Sequence, residues 1–132
     1  IQVNTFYNIY FSKENSIMEF FRQVTNTPNL VKKYNEVERP IAKILFGIET
    51  EEEMQIAINI LNNHPLAEKF DFIRSEKYLY EILPKGIGKG TAILKLCECL
   101  GIDKNKTIAV GDYNNDISMF RAASVGIAVS NA

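Results

Sequence analysis

The sequence has no long apolar run and no strong excess of charge of either sign. No stretch approaches the roughly 20 consecutive apolar residues that a membrane-crossing helix needs, and no signal peptide is visible. The 15 basic and 16 acidic residues leave a formal net charge of −1, which argues against a nucleic acid or an anionic membrane as the main partner. We therefore expect a soluble protein that binds neither.

Cysteine is scarce as well. Its only two positions, Cys97 and Cys99, lie two residues apart in a segment with helical spacing, so their side chains point to different sides. They cannot form a disulfide with each other without distortion, and no second pair is present to complete a zinc site. Reduced thiols and a cytoplasmic location are the expectation.

The length and the two ends of the chain indicate how many globular units it contains and whether it is part of a longer protein. A chain of 132 residues with 46% hydrophobic content fits one or two small globular units. It begins at Ile1, its methionines are all internal, and it stops at Ala132 shortly after a strand-like run. We expect a piece of a longer protein, and a processed or tag-cleaved product is the alternative.

The first two-thirds of the sequence alternates between strand and helix patterns. The predicted elements are a strand or a hairpin turning at Tyr7-Asn8 over residues 1–11, a helix capped by Ser16 and Glu19, a short helix and loop over 29–40, a strand over 41–48, a helix capped by Thr50 and Glu53, and two strands over 69–83. This pattern favours a small α+β or open-sheet α/β unit over residues 1–84.

A glycine-rich segment, Pro84-Lys-Gly-Ile-Gly-Lys-Gly-Thr91, marks a boundary before the remaining residues 85–132. Lys89 stands at or just before the start of a predicted helix, where backbone N–H groups already favour anions. The spacing of the glycines fits neither a P-loop nor a dinucleotide-binding turn. The segment is compatible with a flexible hinge, with a phosphate contact, or with both.

The most informative stretch is Thr107-Ile-Ala-Val-Gly-Asp-Tyr-Asn-Asn-Asp-Ile-Ser-Met119. A short apolar strand is predicted to end at Gly111, so that Asp112 stands at its carboxyl end, and a helical pattern begins at Asp116. Open α/β sheets bind their ligands at this end of their strands. The alternative is a polar loop in which Asp116 only caps a helix.

A last strand is predicted from Val125 to Val129, so the second part reads as helix, strand, helix, strand. Parallel strands with right-handed crossovers are the expected arrangement. Lys89 and Asp112 meet in this arrangement only if the glycine-rich loop approaches the strand's carboxyl end, which the sequence leaves open.

Three separated signatures carry a family resemblance. They are Leu83-Pro-Lys-Gly-Ile-Gly-Lys-Gly-Thr-Ala92, Gly111-Asp-Tyr-Asn-Asn-Asp-Ile-Ser-Met119 and Gly126-Ile-Ala-Val-Ser-Asn-Ala132. In this order they resemble the Cof-type branch of the haloacid dehalogenase-like hydrolases. The strand–helix alternation upstream resembles the α/β cap of that branch. Ser124 and Ser130 depart from the usual pattern.

The resemblance implies an α/β protein in two parts: an α/β cap with a mixed or antiparallel sheet over residues 1–84, and part of a Rossmann-like core over residues 85–132. It also implies Mg²⁺-dependent hydrolysis of small phosphorylated metabolites, such as sugar phosphates, through an aspartyl-phosphate. Lys89 would neutralise the nucleophile and the transferring phosphoryl group, and Asp112 would bind Mg²⁺. Asn115 would contact the phosphate or substrate, and Asp116 would hold a metal-bound water or orient Lys89.

One required signature of this family is missing. The nucleophile of the family lies in an Asp-x-Asp motif, and no two of the four aspartates here are separated by a single residue. We therefore expect the chain alone to be inactive, to bind Mg²⁺ weakly, and to self-associate through the strand edge that the nucleophile strand would cover. The alternatives are a phosphomutase of the same superfamily and a non-catalytic module that binds phosphate or another protein.

Overall fold

The computed structural model describes residues 1–13 and 15–130. Its backbone contacts divide the chain into two compact units, Ile1–Lys85 and Gly86–Ala132. The last two residues of the third signature lie outside the described residues. Within the described ranges, no helix is both long enough and apolar enough to cross a bilayer.

The first unit is built on one six-stranded sheet. Its elements are β1 (Gln2–Thr5), β2 (Ile9–Phe11), α1 (Ser16–Val24), β3 (Leu30–Val31), β4 (Ile41–Gly47), α2 (Glu51–Asn62), β5 (Phe70–Glu76) and β6 (Leu79–Pro84). The strand order is β3-β2-β1-β4-β6-β5, and all neighbours are antiparallel except β2 and β3. The sheet is therefore mixed, as the resemblance predicts for a cap.

The hairpin at the chain start is fixed by a threonine. The hydroxyl of Thr5 accepts hydrogen bonds from the N–H groups of Tyr7 and Asn8, at 3.2 Å and 2.9 Å. The N–H of Thr5 in turn donates to the carbonyl of Asn8. A hydroxyl that bonds the backbone two and three residues on stabilises a tight turn. Of the two alternatives left open for residues 1–11, the hairpin is the one observed.

The helix starts were predicted with mixed success. The capping box of α2 is confirmed, because Thr50 accepts from the N–H of Glu53 and Glu53 accepts from the N–H of Thr50. The predicted box of α1 is wrong. Asn15 caps that helix by accepting from the N–H of Met18, and the Ser16 hydroxyl donates to Glu49 instead.

The segment 29–40 also differs from its prediction. It was expected to hold a short helix and a loop, and it does contain a single 3₁₀ turn, Tyr34–Glu36. Ahead of that turn, however, β3 adds a two-residue parallel strand to the edge of the sheet. Two residues are too few to show an alternating apolar pattern, so the strand has no sequence signal.

The two helices of this unit pack on opposite faces of the sheet. Side chains alternate between the faces along a strand, and β4 shows this directly. Leu45 belongs to the cluster that contains Met18 of α1, and Phe46 packs against the cluster that contains Met54 of α2. The central strand is thus covered on both sides, which gives this unit its core.

The second unit consists of α3 (Lys89–Leu100), β7 (Ile108–Gly111), α4 (Ile117–Ala122) and β8 (Val125–Ala128). The prediction of parallel strands is confirmed, since β7 pairs with β8 in parallel register. The α-helix predicted to start at Asp116 begins one residue later. The residues before it, Asn114–Asp116, form a 3₁₀ turn.

Both edges and one face of this small sheet lack cover within the described residues. β7 pairs with β8 on one side, and no described strand pairs with its other side. The apolar side chains on one face of the pair are largely exposed, with Ile108 and Val110 at 67% and 56%. Their paired neighbours Val125 and Ile127 are exposed as well.

Candidate active site

A lysine–aspartate pair joins the two helical elements that flank β7. Lys89 is the first residue of α3, and Asp116 ends the 3₁₀ turn that follows β7. The ammonium group of Lys89 donates a short hydrogen bond to Oδ1 of Asp116. Asp116 is only 2% exposed, while the Lys89 side chain is half exposed. A cation that solvent can reach is therefore held by a buried anion.

The second oxygen of the same carboxylate is bound by the backbone. Oδ2 of Asp116 accepts hydrogen bonds from the N–H groups of Asp112 and Tyr113, at 3.0 Å and 3.3 Å. The lysine hydrogen bond is the main reason that the pKa of Asp116 is lowered, with the two backbone N–H groups adding to it against the opposing effect of burial. The carboxylate stays ionised and satisfied although it is buried.

Asp112 presents a different environment. It follows β7 directly, is exposed, and lines a cavity of about 310 Å³ together with Tyr113, Ile117 and Phe120. Its backbone is held by Asp116 while its carboxylate remains accessible. This places a negative charge at the carboxyl end of a parallel strand, where ligands of open α/β sheets bind.

Asn115 contributes an unsatisfied acceptor to the same turn. Its Oδ1 is buried and has no hydrogen-bond partner among the described residues. Buried polar atoms are nearly always paired in proteins, so an unpaired one in a loop near ionised groups suits a ligand contact. Carboxylate and amide oxygens are also the ligand type that Mg²⁺ prefers.

The side chains in this turn fit a sparse magnesium site. Within the ranges that the structure covers, no three His, Cys, Asp or Glu side chains are grouped closely enough to enclose a metal. Mg²⁺ is usually bound by one or two carboxylates and keeps several waters or substrate oxygens. Asp112 can supply one such carboxylate, because its side chain is exposed, whereas both oxygens of Asp116 already accept hydrogen bonds.

All four residues that the sequence singled out lie in this unit, and the structure connects three of them. Lys89 contacts Asp116, and Asp116 holds the backbone of Asp112. Asp116 occupies the N-cap position of α4, but its carboxylate makes no cap hydrogen bond to that helix. It caps the preceding 3₁₀ turn instead, by accepting from the N–H of Tyr113, and it also binds Lys89, so capping is not its only contact. Sequence reasoning missed Ser118, whose hydroxyl accepts from the N–H of Gly90.

The fold is α/β, and its parallel strand β7 is followed by an exposed aspartate beside a lysine–carboxylate pair. Over residues 1–132 the chain matches the sequence profile of the family described as haloacid dehalogenase-like hydrolase, and it belongs to that family. This match confirms the family resemblance, and the mixed strands and helices of the structure confirm the α/β class.

Individual relatives agree with the assignment. YxeH from Bacillus subtilis is 32% identical over 111 residues, which are 83% of this chain and 40% of YxeH. The 5-amino-6-(5-phospho-D-ribitylamino)uracil phosphatase YwtE from the same species is 47% identical over 58 residues, 44% of this chain and 20% of YwtE. A solved haloacid dehalogenase-like hydrolase from B. subtilis gives a TM-score of 0.81 at 23% identity and covers 99% of this chain and 55% of its own. The chain thus spans about half or less of the proteins it matches.

Proposed function

We propose that this chain is part of a Mg²⁺-dependent phosphatase that hydrolyses small phosphorylated metabolites, sugar phosphates among them, through an aspartyl-phosphate. In this proposal residues 1–84 form the cap and residues 85–132 form part of the catalytic core. Family membership supports the reaction class. The name of YwtE, which gives its substrate as a phosphorylated ribityl compound, supports a small phosphate ester.

The observation that carries the proposal is the bond between Lys89 and Asp116. Phosphoryl transfer depends mainly on alignment and on neutralisation of charge. A lysine ammonium has three donors. One is used by Asp116, which leaves two for a phosphoryl oxygen and for the attacking carboxylate of a nucleophile.

The other candidate residues lie in the turn after β7 and have separate proposed roles. Asp112 would hold Mg²⁺, which when bound neutralises charge on the phosphoryl oxygens. Asn115 would contact the phosphate or the substrate. Of the two roles that the resemblance gives Asp116, orienting Lys89 fits the geometry better, because both of its oxygens already accept hydrogen bonds.

The chain by itself is proposed to be inactive. Its sequence has no Asp-x-Asp, so it supplies no aspartate in the position from which the family attacks phosphorus. A phosphomutase would use the same groups with a different acceptor.

A non-catalytic binding module is the second candidate, and a specific observation favours it. The exposed apolar side chains on the β7–β8 face give the second unit a surface suited to contact with another protein or a second copy. A cytoplasmic location is proposed for either candidate, because the cysteines are free.

The experiment is a hydrolysis assay with p-nitrophenyl phosphate and a panel of phosphate esters, with and without Mg²⁺. It compares the full-length protein with the 132-residue chain. We expect Mg²⁺-dependent turnover only in the former, and a loss of at least about 100-fold in kcat for Lys89→Ala and Asp112→Asn, on the scale reported for single electrostatic groups in active sites.

Lys95→Ala is the matched control, because Lys95 lies on the same helix and, among the described residues, forms its ion pair with Glu98 at the surface. It should leave turnover unchanged. Turnover by the full-length protein that survives both Lys89→Ala and Asp112→Asn would contradict the assigned roles. Turnover by the short chain would contradict its proposed inactivity.

A further inference from the structure

Two glycines of the second unit lie where a side chain has no room. A Cβ atom built on Gly111 would stand 2.5 Å from Cγ and 2.6 Å from Cβ of Asp116. A Cβ atom on Gly90 would stand 2.8 Å from the carbonyl carbon and 3.1 Å from Cβ of Ser118. Separations below 3 Å between carbon atoms force one partner to move.

At Gly111 the partner that would move is the carboxylate that holds Lys89. The hydrogen of Gly111 lets the Asp116 side chain lie against the end of β7, where Oδ2 meets the N–H groups of Asp112 and Tyr113. Oδ1 of the same group then faces Lys89. A methyl group at position 111 cannot share this space with the carboxylate.

At Gly90 the contact is between two helices. The absence of a side chain lets the first turn of α3 touch the first turn of α4, and the N–H of Gly90 donates to the Ser118 hydroxyl at 3.3 Å. Lys89 is the preceding residue, so this contact sets how far its backbone stands from Asp116. Ser118 lies two residues beyond Asp116, which ties both ends of the ion pair to the same contact.

We propose that Gly111 and Gly90 are positioning residues for the Lys89–Asp116 pair: Gly111 makes space for the carboxylate and Gly90 sets the distance of the lysine. The functional meaning of this inference rests on the proposed function, while its structural content does not. Neither glycine has a positive φ angle, so the requirement is for space and not for an unusual backbone conformation.

The test compares Gly111→Ala, Gly90→Ala and a control in the 132-residue chain by NMR. Gly88→Ala is the control, because a Cβ atom there meets nothing within 4 Å and its φ of −175° is extended backbone that any residue adopts. Two quantities are measured. One is the hydrogen-exchange rate of the Asp112 and Tyr113 amides, and the other is the NMR order parameter of the Lys89 ammonium nitrogen. Neither readout requires hydrolysis, so a failure here is distinct from a failure of the proposed function.

The two variants should give different patterns. Gly111→Ala should speed exchange of the Asp112 and Tyr113 amides at least about tenfold and release the Lys89 ammonium, because the carboxylate leaves both partners. Gly90→Ala should release the ammonium while the two amides change less than about twofold. Gly88→Ala should match the unaltered chain in both readouts. Unchanged readouts in Gly111→Ala, or in Gly90→Ala, would overturn the proposal for that glycine.

A second background separates positioning from a general effect on the strand. With Asp116→Gly neither the carboxylate nor the Cβ atom that a methyl group at position 111 would meet is present, so adding Gly111→Ala should change the two exchange rates less than about twofold. An equal effect in both backgrounds would overturn the proposal. If Gly111→Ala alone does not fold, the same logic holds for folding: the double variant should fold again, and its failure to fold would count against the inference.

Discussion

Asp116 is the residue on which the geometry of the candidate site depends. It is buried, ionised and bound by one side-chain donor and two main-chain donors. Replacing the carboxylate with an amide should destabilise the fold. An amide has only one oxygen acceptor, so its NH₂ group would have to face one of the donors that the carboxylate now binds. Hydrogen bonds to charged groups contribute about 1.5–3 kcal/mol each, and the exposure of Lys89 reduces the share due to the ion pair.

We therefore expect Asp116→Asn to lower the free energy of unfolding by about 1–3 kcal/mol, measured by urea denaturation of the 132-residue chain. Asp103→Asn is the control. It removes the same charge, and an asparagine there can still accept the hydrogen bond that Asp103 accepts from the N–H of Asn105. Equal stability of the two variants would show that the buried carboxylate contributes nothing of its own.

The sequence singled out the candidate site residues but not how they are joined. The order of lysine, strand and acidic turn drew attention to Lys89, Asp112 and Asp116, and the family resemblance added Asn115. The contact between Asp116 and Lys89 was one of two roles that the resemblance gave Asp116. Its two main-chain partners were not predictable, because backbone N–H groups carry no residue-specific signal. The role proposed for Gly111 was not predictable for a similar reason. A glycine in a sequence shows only that no side chain is present, and the coordinates are needed to show that the Asp116 side chain lies in that space.

At the scale of the elements, a bidentate ion pair joins α2 to β5. Arg74 donates to Glu51 through both terminal nitrogens, at 3.0 Å and 2.6 Å. This pairing with Arg74, aided by a hydrogen bond from Gln55, lowers the pKa of Glu51 from 4.5 to about 2. A carboxylate whose pKa is lower in the folded state stabilises that state above its unfolded pKa, and the stabilisation is lost as the pH falls through the folded pKa.

Acid unfolding followed by circular dichroism should therefore show a contribution from Glu51 that is complete above about pH 4.5 and lost toward pH 2. Glu51→Gln should flatten the dependence of stability on pH in that window. Glu52→Gln, which removes a charge from the same helical turn, should flatten it less. The pair is at the surface, so the whole effect is small, and an identical pH dependence in both variants would refute the prediction.

The elements also show where sequence patterns succeed. Thr50 and Glu53 were recognised as a capping box because the local hydrogen bonds of a helix start depend on residues three apart. The same rule failed at Ser16, since Asn15 is an equally good cap and Ser16 found a distant partner in Glu49. A local sequence rule cannot predict which of two adjacent residues caps a helix when a tertiary hydrogen bond, here from Ser16 to Glu49, determines the outcome.

At the scale of the whole molecule, we expect self-association from the exposed apolar face of the β7–β8 sheet and from its edges, which no other described strand covers. Light scattering after size exclusion at two concentrations should give a mass above that of one chain, rising with concentration. Ile108→Lys should return the mass to that of a single chain, because it puts a charge on the apolar face.

The control for that prediction is Ile60→Lys, which changes an isoleucine of similar exposure, 63%, on α2 in the other unit. It should leave the association unchanged. A single-chain mass for the unaltered protein at both concentrations would contradict the prediction, and disruption by both variants would locate the contact elsewhere.

The hydrogen bonds from main-chain N–H groups to Asp116 affect how much free energy an anion must supply when it binds at Lys89. The carboxylate that accepts from the Lys89 ammonium group is itself held by the peptide N–H groups at the end of a strand. If the proposed function holds, the anion that positions Lys89 is already in place before a phosphoryl group arrives, and little reorganisation free energy remains to be supplied during the reaction.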